Sequence, residues 1–262
     1  MRRLSRTSDL SDNGTNYFRY NQYNNFPRSL DIWVTVRFFE SNLFIINFKN
    51  YDEIAGSKSL RLAKSASKIA KKYKIRIPVC PPQHLMSEVT RVSADVFAQH
   101  LDNSKVGSTT GFVIPEIVKK SRIAGSLINH SEHRIPSNEI EDLVIRLREL
   151  KMTSVVCVQD VNEAWTYAKI NPDFIAIEPP ELIGSGKAVS KEKPEIITES
   201  VKAVKKANNS TQLLCGAGIV SGEDVSRALD LGAKGILVAS GIVKAKNWEK
   251  AIEEFALAFT RE

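Results

Sequence analysis

The stretch LLCGAGIVSGEDVSRALDLGAKGILVASG, residues 213–241, decides the fold class of this chain. It contains two short apolar runs, Leu213–Gly216 and Gly235–Ala239, which are typical of strands buried on both faces. Between them lies the amphipathic segment Ser221–Leu231, where a serine followed by acidic residues predicts the start of a helix. Strand, helix and strand in this order predict a parallel βαβ unit.

The same alternation runs through the chain from Leu43 onward. The predicted strands are Leu43–Phe48, Arg76–Cys80, Asp95–Gln99, Ser126–Asn129, Ser154–Val158, Phe174–Glu178, Leu213–Gly216 and Gly235–Ala239. The predicted helices include Ser57–Tyr73, Asn138–Lys151, Pro194–Ala207, Ser221–Leu231 and Asn247–Phe259. Eight such units favour an α/β fold closed into a (β/α)8 TIM barrel, with some helices abbreviated. An open doubly wound sheet is the alternative, but no G-x-G-x-x-G motif follows the first predicted strand.

The N-terminal segment, residues 1–42, differs from the rest because it is rich in Asn, Ser, Arg and aromatic residues. It is interpreted as a non-barrel N-terminal extension, disordered or arising from a misassigned start, and a partner-binding arm is a further reading. Residues 43–262 are predicted to form the TIM-barrel catalytic domain.

Composition narrows the classes of function. The chain has 262 residues, 42% of them hydrophobic and 26% charged, which is typical of a globular protein. Its net charge of +7 is spread along the chain, so it suits an anionic small molecule as well as a nucleic acid, and no nucleic-acid partner is expected. Three widely spaced cysteines predict buried thiols and no metal site. Without a run of about 20 apolar residues, we expect a cytoplasmic protein with no membrane partner.

Polar residues follow three predicted strands at their carboxyl ends, where barrels place their chemistry. Asn47 and Lys49 follow the first strand, His130 follows the fourth, and Glu178 follows the sixth. Each alone has an ordinary structural explanation, but together they predict one shared pocket. The carboxylate directly after the apolar run 174–177 is costly to desolvate, which favours its use as a base.

Glycine-rich turns follow the last three predicted strands, at residues 183–186, 216–218 and 239–241. Glycine lets backbone N–H groups approach an anion closely. Because the seventh and eighth loops of barrels commonly hold phosphate, these turns predict a phosphorylated substrate.

These motifs resemble the active-site signatures of the triosephosphate isomerase family. The residues that carry the resemblance are Asn47-Phe48-Lys49, Asn129-His130-Ser131-Glu132, Glu178 with Ile183-Gly184-Ser185-Gly186, Cys215-Gly216-Ala217-Gly218 and Ala239-Ser240-Gly241. They span the barrel from about residue 43 to residue 260. The stretches Ala98–Asp102, Gly107–Gly111 and Glu178–Leu182 are similar to the compact archaeal branch of that family. Pro180-Glu181 departs from the more familiar pattern at the start of the sixth loop.

The resemblance implies an isomerase of glycolysis and gluconeogenesis that interconverts D-glyceraldehyde 3-phosphate and dihydroxyacetone phosphate. Glu178 would be the proton acceptor and His130 a neutral electrophile. Lys49 and Asn47 would stabilise the charge of an enediolate and bind substrate.

The remaining implied residues bind substrate, form a lid or support the catalytic groups. The implied substrate-binding residues also include Ile183, Gly218, Ala239 and Ser240, the lid includes Pro179, Gly184, Ser185 and Gly186, and the supporting residues are Ser131 and Glu132. No metal or other cofactor is expected. The resemblance also implies a homotetramer, with a dimer as second choice.

Two other interpretations remain. Another phosphate-binding barrel enzyme would share the seventh and eighth loops but lack the Asn, Lys, His and Glu set. The other is a barrel used only for binding, or a basic scaffold whose N-terminal segment contacts RNA. RNA binding would weaken steeply with salt and would be lost on deleting residues 1–42.

Overall fold

The computed structural model describes residues 42–93, 95–182 and 188–260. The proposed N-terminal extension up to residue 41 and the centre of the sixth loop lie outside the described residues.

Eight parallel strands form a nearly closed barrel in the spatial order β2-β1-β8-β7-β6-β5-β4-β3. The strands are β1 Leu43–Asn47, β2 Val79–Cys80, β3 Phe97–Ala98, β4 Gly125–Ile128, β5 Thr153–Val158, β6 Phe174–Ile177, β7 Gln212–Cys215 and β8 Gly235–Val238. A single bridge between Val79 and Val96 joins β2 to β3, and the N–H of Val79 donates to the carbonyl of Asp95 at 3.1 Å. The predicted TIM barrel is therefore confirmed.

Ten helices of the described residues lie along the barrel. They are α1 Ser57–Tyr73, α2 Met86–Val89, α3 Pro115–Lys120, α4 Ser137–Glu149, α5 Val161–Ala168, α6 Val189–Glu192, α7 Pro194–Ala207, α8 Gly222–Asp230, α9 Ser240–Val243 and α10 Trp248–Ala258. The predicted bounds of α1 and α7 are reproduced, and the abbreviated helices are α2 and α3 after the second and third strands. No helix within these described ranges is long and apolar enough to cross a membrane.

Strands β2 and β3 are shorter than predicted, because the expected Arg76–Cys80 and Asp95–Gln99 pair fully only at two residues each. Pro78 has no N–H to donate, and because its carbonyl faces β1, the missing donor limits the pairing of β2 with β1. The carbonyls of Arg76 and Pro78 still accept hydrogen bonds from Phe44 and Ile46 of β1. The segment therefore occupies its strand position although only part of it pairs on both sides.

Two apolar layers hold the barrel together. Side chains such as Leu43, Ile45, Leu127 and Val155 fill the barrel interior, and a larger set packs between the strands and the helices. Because the interior of the barrel is filled, its ligand space is expected at the end where the loops follow the strands.

Candidate active site

Asn47 and Lys49 are held in place by the end of β1. Lys49 has a φ of +46°, in the left-handed region that residues other than glycine rarely adopt. Its N–H donates to Oδ1 of Asn47 at 3.0 Å. The side-chain amide of Gln99 donates to the carbonyls of Lys49 and Cys80, each at 3.0 Å. The Lys49 ammonium lies 2.7 Å from a carboxylate oxygen of Glu132.

His130 begins the loop after β4. The preceding residue, Asn129, has a φ of +61°, and its side chain donates to the Cys157 carbonyl and accepts from the N–H of Ile135, each at 3.1 Å. These bonds fix the turn from which the imidazole projects. The Glu132 N–H donates to Nδ1 of His130 at 3.2 Å, so Nδ1 is an acceptor. In a neutral ring the proton is then on Nε2.

The Nε2 atom of His130 faces the pocket. It lies 3.4 Å from Oε1 of Glu178 and 3.5 Å from the Asn47 amide nitrogen. Three of the predicted catalytic residues therefore meet around one ring nitrogen, although they follow the first, fourth and sixth strands.

Glu178 is only 4% exposed. Its N–H donates to the Val158 carbonyl at 2.7 Å, which continues the β5–β6 pairing by one residue. Its Oε2 atom has no hydrogen-bond partner among the described residues. Cys157 lies close by, and burial, followed by the charge of Glu178, raises the pKa of its thiol. The carboxylate thus has Oε1 beside His130 and Oε2 enclosed by the protein.

Gly216 sits against the side chain of Glu178. A Cβ atom at residue 216 would lie 2.6 Å from Cγ of Glu178, closer than any ordinary carbon contact. The glycine therefore leaves the space that the glutamate side chain occupies.

The backbone of the seventh and eighth loops forms the remaining wall of the pocket. Gly218 has a φ of +71°, and the N–H groups of Gly218 and Ser240 donate to no acceptor in the described parts of the chain. The pocket is lined by Asn47, Lys49, His130, Glu178, Gly218, Ala239 and Ser240, among others. Such N–H groups suit an anion.

The structure describes some of the remaining predicted lid, supporting and substrate-binding residues and not others. Pro179 precedes a short 3-10 turn, Pro180–Leu182. Ser131 has a buried hydroxyl that lacks a hydrogen-bond partner among the residues described. Glu132 touches both Lys49 and His130. The predicted substrate-binding residue Ile183 and the predicted lid residues Gly184, Ser185 and Gly186 lie outside the described residues.

Two stacked histidines, His100 and His133, support the loop that carries His130. The rings of His100 and His133 stack with their centroids 3.8 Å apart, and the His133 N–H donates to the His130 carbonyl at 2.8 Å. His100 is buried and lies 3.4 Å from a carboxylate oxygen of Asp102. Burial, followed by the charge of His133, lowers the pKa of His100 despite the nearby Asp102 and Glu139.

No functional signal in the sequence singled out Gln99 or Tyr51. Gln99 supports the Lys49 turn, and Tyr51 lines the pocket beside the cation of Lys244, 4.7 Å from its ring centroid. A glutamine at the end of a predicted strand is common, so only the three-dimensional contact shows that Gln99 supports Lys49.

A filled parallel barrel with a carboxylate, an imidazole and an ammonium beside free amide groups defines an enzyme of the phosphate-binding barrel class. A model of the triosephosphate isomerase family matches residues 42–255. The chain therefore belongs to the triosephosphate isomerase family, which confirms the family and the isomerase activity that the motifs predicted.

The chain is similar to archaeal triosephosphate isomerases over nearly the whole length of those proteins. The chain is 53% identical to a triosephosphate isomerase of Cenarchaeum symbiosum, over 84% of this chain and 99% of the relative. It is 46% identical to the triosephosphate isomerase of Methanocaldococcus jannaschii, over 81% of this chain and 97% of the relative. For that of Archaeoglobus fulgidus, identity is 47%, over 80% of this chain and 95% of the relative.

Proposed function

We propose that the chain interconverts D-glyceraldehyde 3-phosphate and dihydroxyacetone phosphate with Glu178 as the base that moves the proton between adjacent carbons. The observation that carries this assignment is the buried carboxylate, which has one oxygen without a hydrogen-bond partner in the described residues and the other beside Nε2 of His130. A base must reach a carbon-bound proton without first breaking a strong hydrogen bond. The Glu178 carboxylate lines the pocket, and its Oε1 atom is 3.4 Å from Nε2 of His130, which is longer than a strong hydrogen bond.

His130 is proposed to act as a neutral electrophile. The Glu132 N–H occupies Nδ1, which leaves the Nε2 hydrogen to polarise a substrate carbonyl and to be exchanged between the two substrate oxygens. An imidazolium would also donate from Nδ1, but a backbone N–H already points at that atom. The hydrogen bond therefore supports the neutral form.

Lys49 is proposed to stabilise negative charge on the enediolate, and Asn47 to donate a hydrogen bond to it. The ammonium is fixed by Glu132 at 2.7 Å and its backbone by Asn47 and Gln99. A charge held in advance needs no reorganisation when the transition state forms. Glu132 is thus a supporting residue, and Ser131 is proposed as another from its place between His130 and Glu132 in the chain.

The phosphate is proposed to bind the amide groups of Gly218, Ala239 and Ser240, together with Ile183. Binding there is remote from the reacting carbons but orients them toward Glu178 and His130. Pro179, Gly184, Ser185 and Gly186 are proposed to belong to a lid that excludes water during the reaction.

The test is a coupled assay with D-glyceraldehyde 3-phosphate on the full chain, on Glu178→Gln and on Glu199→Gln. Loss of the base should lower kcat by about 10³-fold or more, with little change in the affinity for inorganic phosphate, because the amide groups remain. Glu199 is exposed on α7, so its variant controls for the change of charge. Full activity of Glu178→Gln would refute the role of Glu178.

For His130, we expect ¹⁵N NMR of the imidazole to show a neutral ring at pH 7 with its hydrogen on Nε2. An imidazolium at that pH would contradict the electrophile role, whereas the kinetic role of Glu178 would still stand.

We also propose a homotetramer, with a dimer as second choice. Four large apolar side chains are exposed in the third loop, α3 and α4: Val106, Phe112, Ile117 and Ile145, at 54%, 53%, 46% and 40%. Val106 and Ile145 line one cleft there. Apolar groups clustered in this way are typical of protein interfaces. Light scattering should give the mass of four chains, and Phe112→Lys with Ile145→Lys should lower it. Leu257→Lys, at an exposed leucine of α10, should leave it unchanged.

Two further assignments complete the proposal. Residues 1–42 are proposed to be an extension that catalysis does not need, so a chain of residues 43–262 should keep the kcat of the full chain. A cytoplasmic location is proposed from the glycolytic reaction of the family, and cell fractionation would test it.

A further inference from the structure

Asp224, in the first turn of α8, holds the backbone of the seventh loop. Its Oδ2 atom accepts hydrogen bonds from the N–H groups of Val220 and Ser221, at 3.1 and 3.0 Å, and from the Ser221 hydroxyl at 2.9 Å. The Ser221 hydroxyl in turn accepts from the Asp224 N–H at 3.3 Å, which completes a capping box. One carboxylate oxygen thus fixes the two residues that follow Gly218 and Ile219.

The other oxygen of Asp224 has a single positively charged partner. Lys191, in α6, places its ammonium 2.9 Å from Oδ1, and no other cation lies within 4 Å of this carboxylate in the described ranges. The Asp224 side chain is 1% exposed, and that of Lys191 is 40% exposed. Burial alone would raise the pKa of Asp224, but the nearby Lys191 ammonium and the hydrogen bonds from the seventh loop lower it. Lys191 therefore compensates the buried negative charge through an ion pair, and Oδ1 accepts no hydrogen bond within the described residues.

Two more contacts join α6 to the seventh loop and to the first turn of α8. The Ser190 hydroxyl donates to the backbone carbonyl of Asp224 at 3.3 Å, and the Val189 N–H donates to the Ala217 carbonyl at 3.4 Å. Val189 thus contacts the seventh loop itself, and Ser190 and Lys191 contact Asp224 at the start of α8. Lys191 does not line the pocket, and its ion pair with Asp224 links it to the seventh-loop backbone.

We infer that Lys191 is a positioning residue for phosphate: through Asp224 it keeps the seventh-loop amide groups in the arrangement that binds the substrate's phosphate. This inference rests on the proposed function, which assigns that loop to phosphate. Without the ammonium, the buried carboxylate has an uncompensated charge, and it either draws in water or takes up a proton. Both changes weaken its hold on Val220 and Ser221.

The experiment compares Lys191→Met with Lys202→Met in the full chain. Lys202 is an exposed lysine of α7 without an ion pair among the described residues, so it controls for the loss of one positive charge. The readouts are kcat and KM for D-glyceraldehyde 3-phosphate, the inhibition constant of inorganic phosphate, and the melting temperature. For Lys191→Met we expect KM and the inhibition constant to rise about tenfold, with kcat within about threefold, because one partner of a buried charge is lost. Lys202→Met should match the wild type.

Two further variants separate positioning from a general loss of structure. Lys191→Arg keeps the charge and should restore the inhibition constant to within about threefold of the wild type. In the double variant Lys191→Met/Asp224→Asn the uncompensated charge is gone, so the loss should be smaller than the sum of the two single losses. If Lys191→Met does not fold, Asp224→Asn alone should show the same tenfold rise in the inhibition constant.

The outcomes distinguish this inference from the proposed function. If the wild-type chain is inactive and inorganic phosphate does not bind, the proposed function is wrong. If the wild type is active but Lys191→Met has the phosphate inhibition constant of Lys202→Met, the inference is overturned. A fall in kcat with unchanged phosphate affinity overturns it as well.

Discussion

Replacing Gly216 by alanine should damage catalysis by moving one side chain. The backbone of Gly216 does not have a positive φ, so alanine is permitted there by its own conformation. The conflict is with the neighbours: the new Cβ would lie 2.6 Å from Cγ and 3.4 Å from Cδ of Glu178, and 3.1 Å from the Ile177 carbonyl oxygen.

The size of the effect follows from these distances. Nonbonded carbons in contact are about 3.5–4.0 Å apart, so the Glu178 side chain must withdraw by about 1 Å. A displacement of about 1 Å at a reacting group can lower the rate by about 10²-fold. We therefore expect kcat of Gly216→Ala to fall about 10²-fold, with KM changed less than about threefold because the phosphate amide groups are elsewhere.

The assay is the coupled reaction with D-glyceraldehyde 3-phosphate, measured alongside the melting temperature. Gly125→Ala is a matched control, since its Cβ would lie 2.6 Å from the Thr153 carbonyl oxygen. That conflict is at the amino-terminal end of β4, away from the pocket, so it should lower the melting temperature while folded enzyme keeps its kcat. A Gly216→Ala enzyme with wild-type kcat would refute the steric reasoning.

Three other predictions concern binding, thiol reactivity and pH. Gly218→Glu should raise KM for the triose phosphate by at least tenfold through bulk and negative charge in the anion site, and an unchanged KM would argue against that site. Burial raises the pKa of Cys215 to about 12, so only about 10⁻⁴ of this thiol is ionised at pH 8. Along with the other two buried cysteines, it should react with a disulfide reagent only after unfolding, and rapid labelling of the native chain would contradict this. The pKa of His100 is lower in the folded chain than in the unfolded chain, so the unfolded chain binds a proton at His100 more readily. The stability that the neutral ring contributes is therefore present above about pH 6.5 and is lost as pH falls. The melting temperature should therefore decline less from pH 7 to pH 5 in His100→Gln than in the wild type, and equal declines would exclude the contribution.

Much of the barrel could be predicted because its rules are local. A strand buried on both faces is a short apolar run, and the Ser221–Asp224 capping box is visible as a serine three residues before an acid. The bounds Ser57–Tyr73 and Pro194–Ala207 followed from the same periodic pattern. The predicted polar strand ends also met in one pocket, because parallel strands bring their carboxyl ends to the same rim.

Local rules were less successful where an element depends on its neighbour. The lengths of β2 and β3 were overestimated. For β2 the reason is that strand pairing needs backbone donors, and Pro78 supplies none toward β1. Likewise, the contact of Gln99 with Lys49 joins residues fifty positions apart, so a pattern of neighbouring residues cannot predict it.

The sequence by itself determined the strand and helix alternation, the identity of the chemical groups at the strand ends, and the family they resemble. Only the tertiary structure decided that Gly216 makes room for Glu178 and that Lys191 neutralises Asp224. The physical reason is the distance along the chain over which each effect acts. Hydrophobic periodicity and helix capping involve residues that are close in the sequence. Steric exclusion and the compensation of a buried charge act over a few ångströms of space, wherever the chain brings its residues.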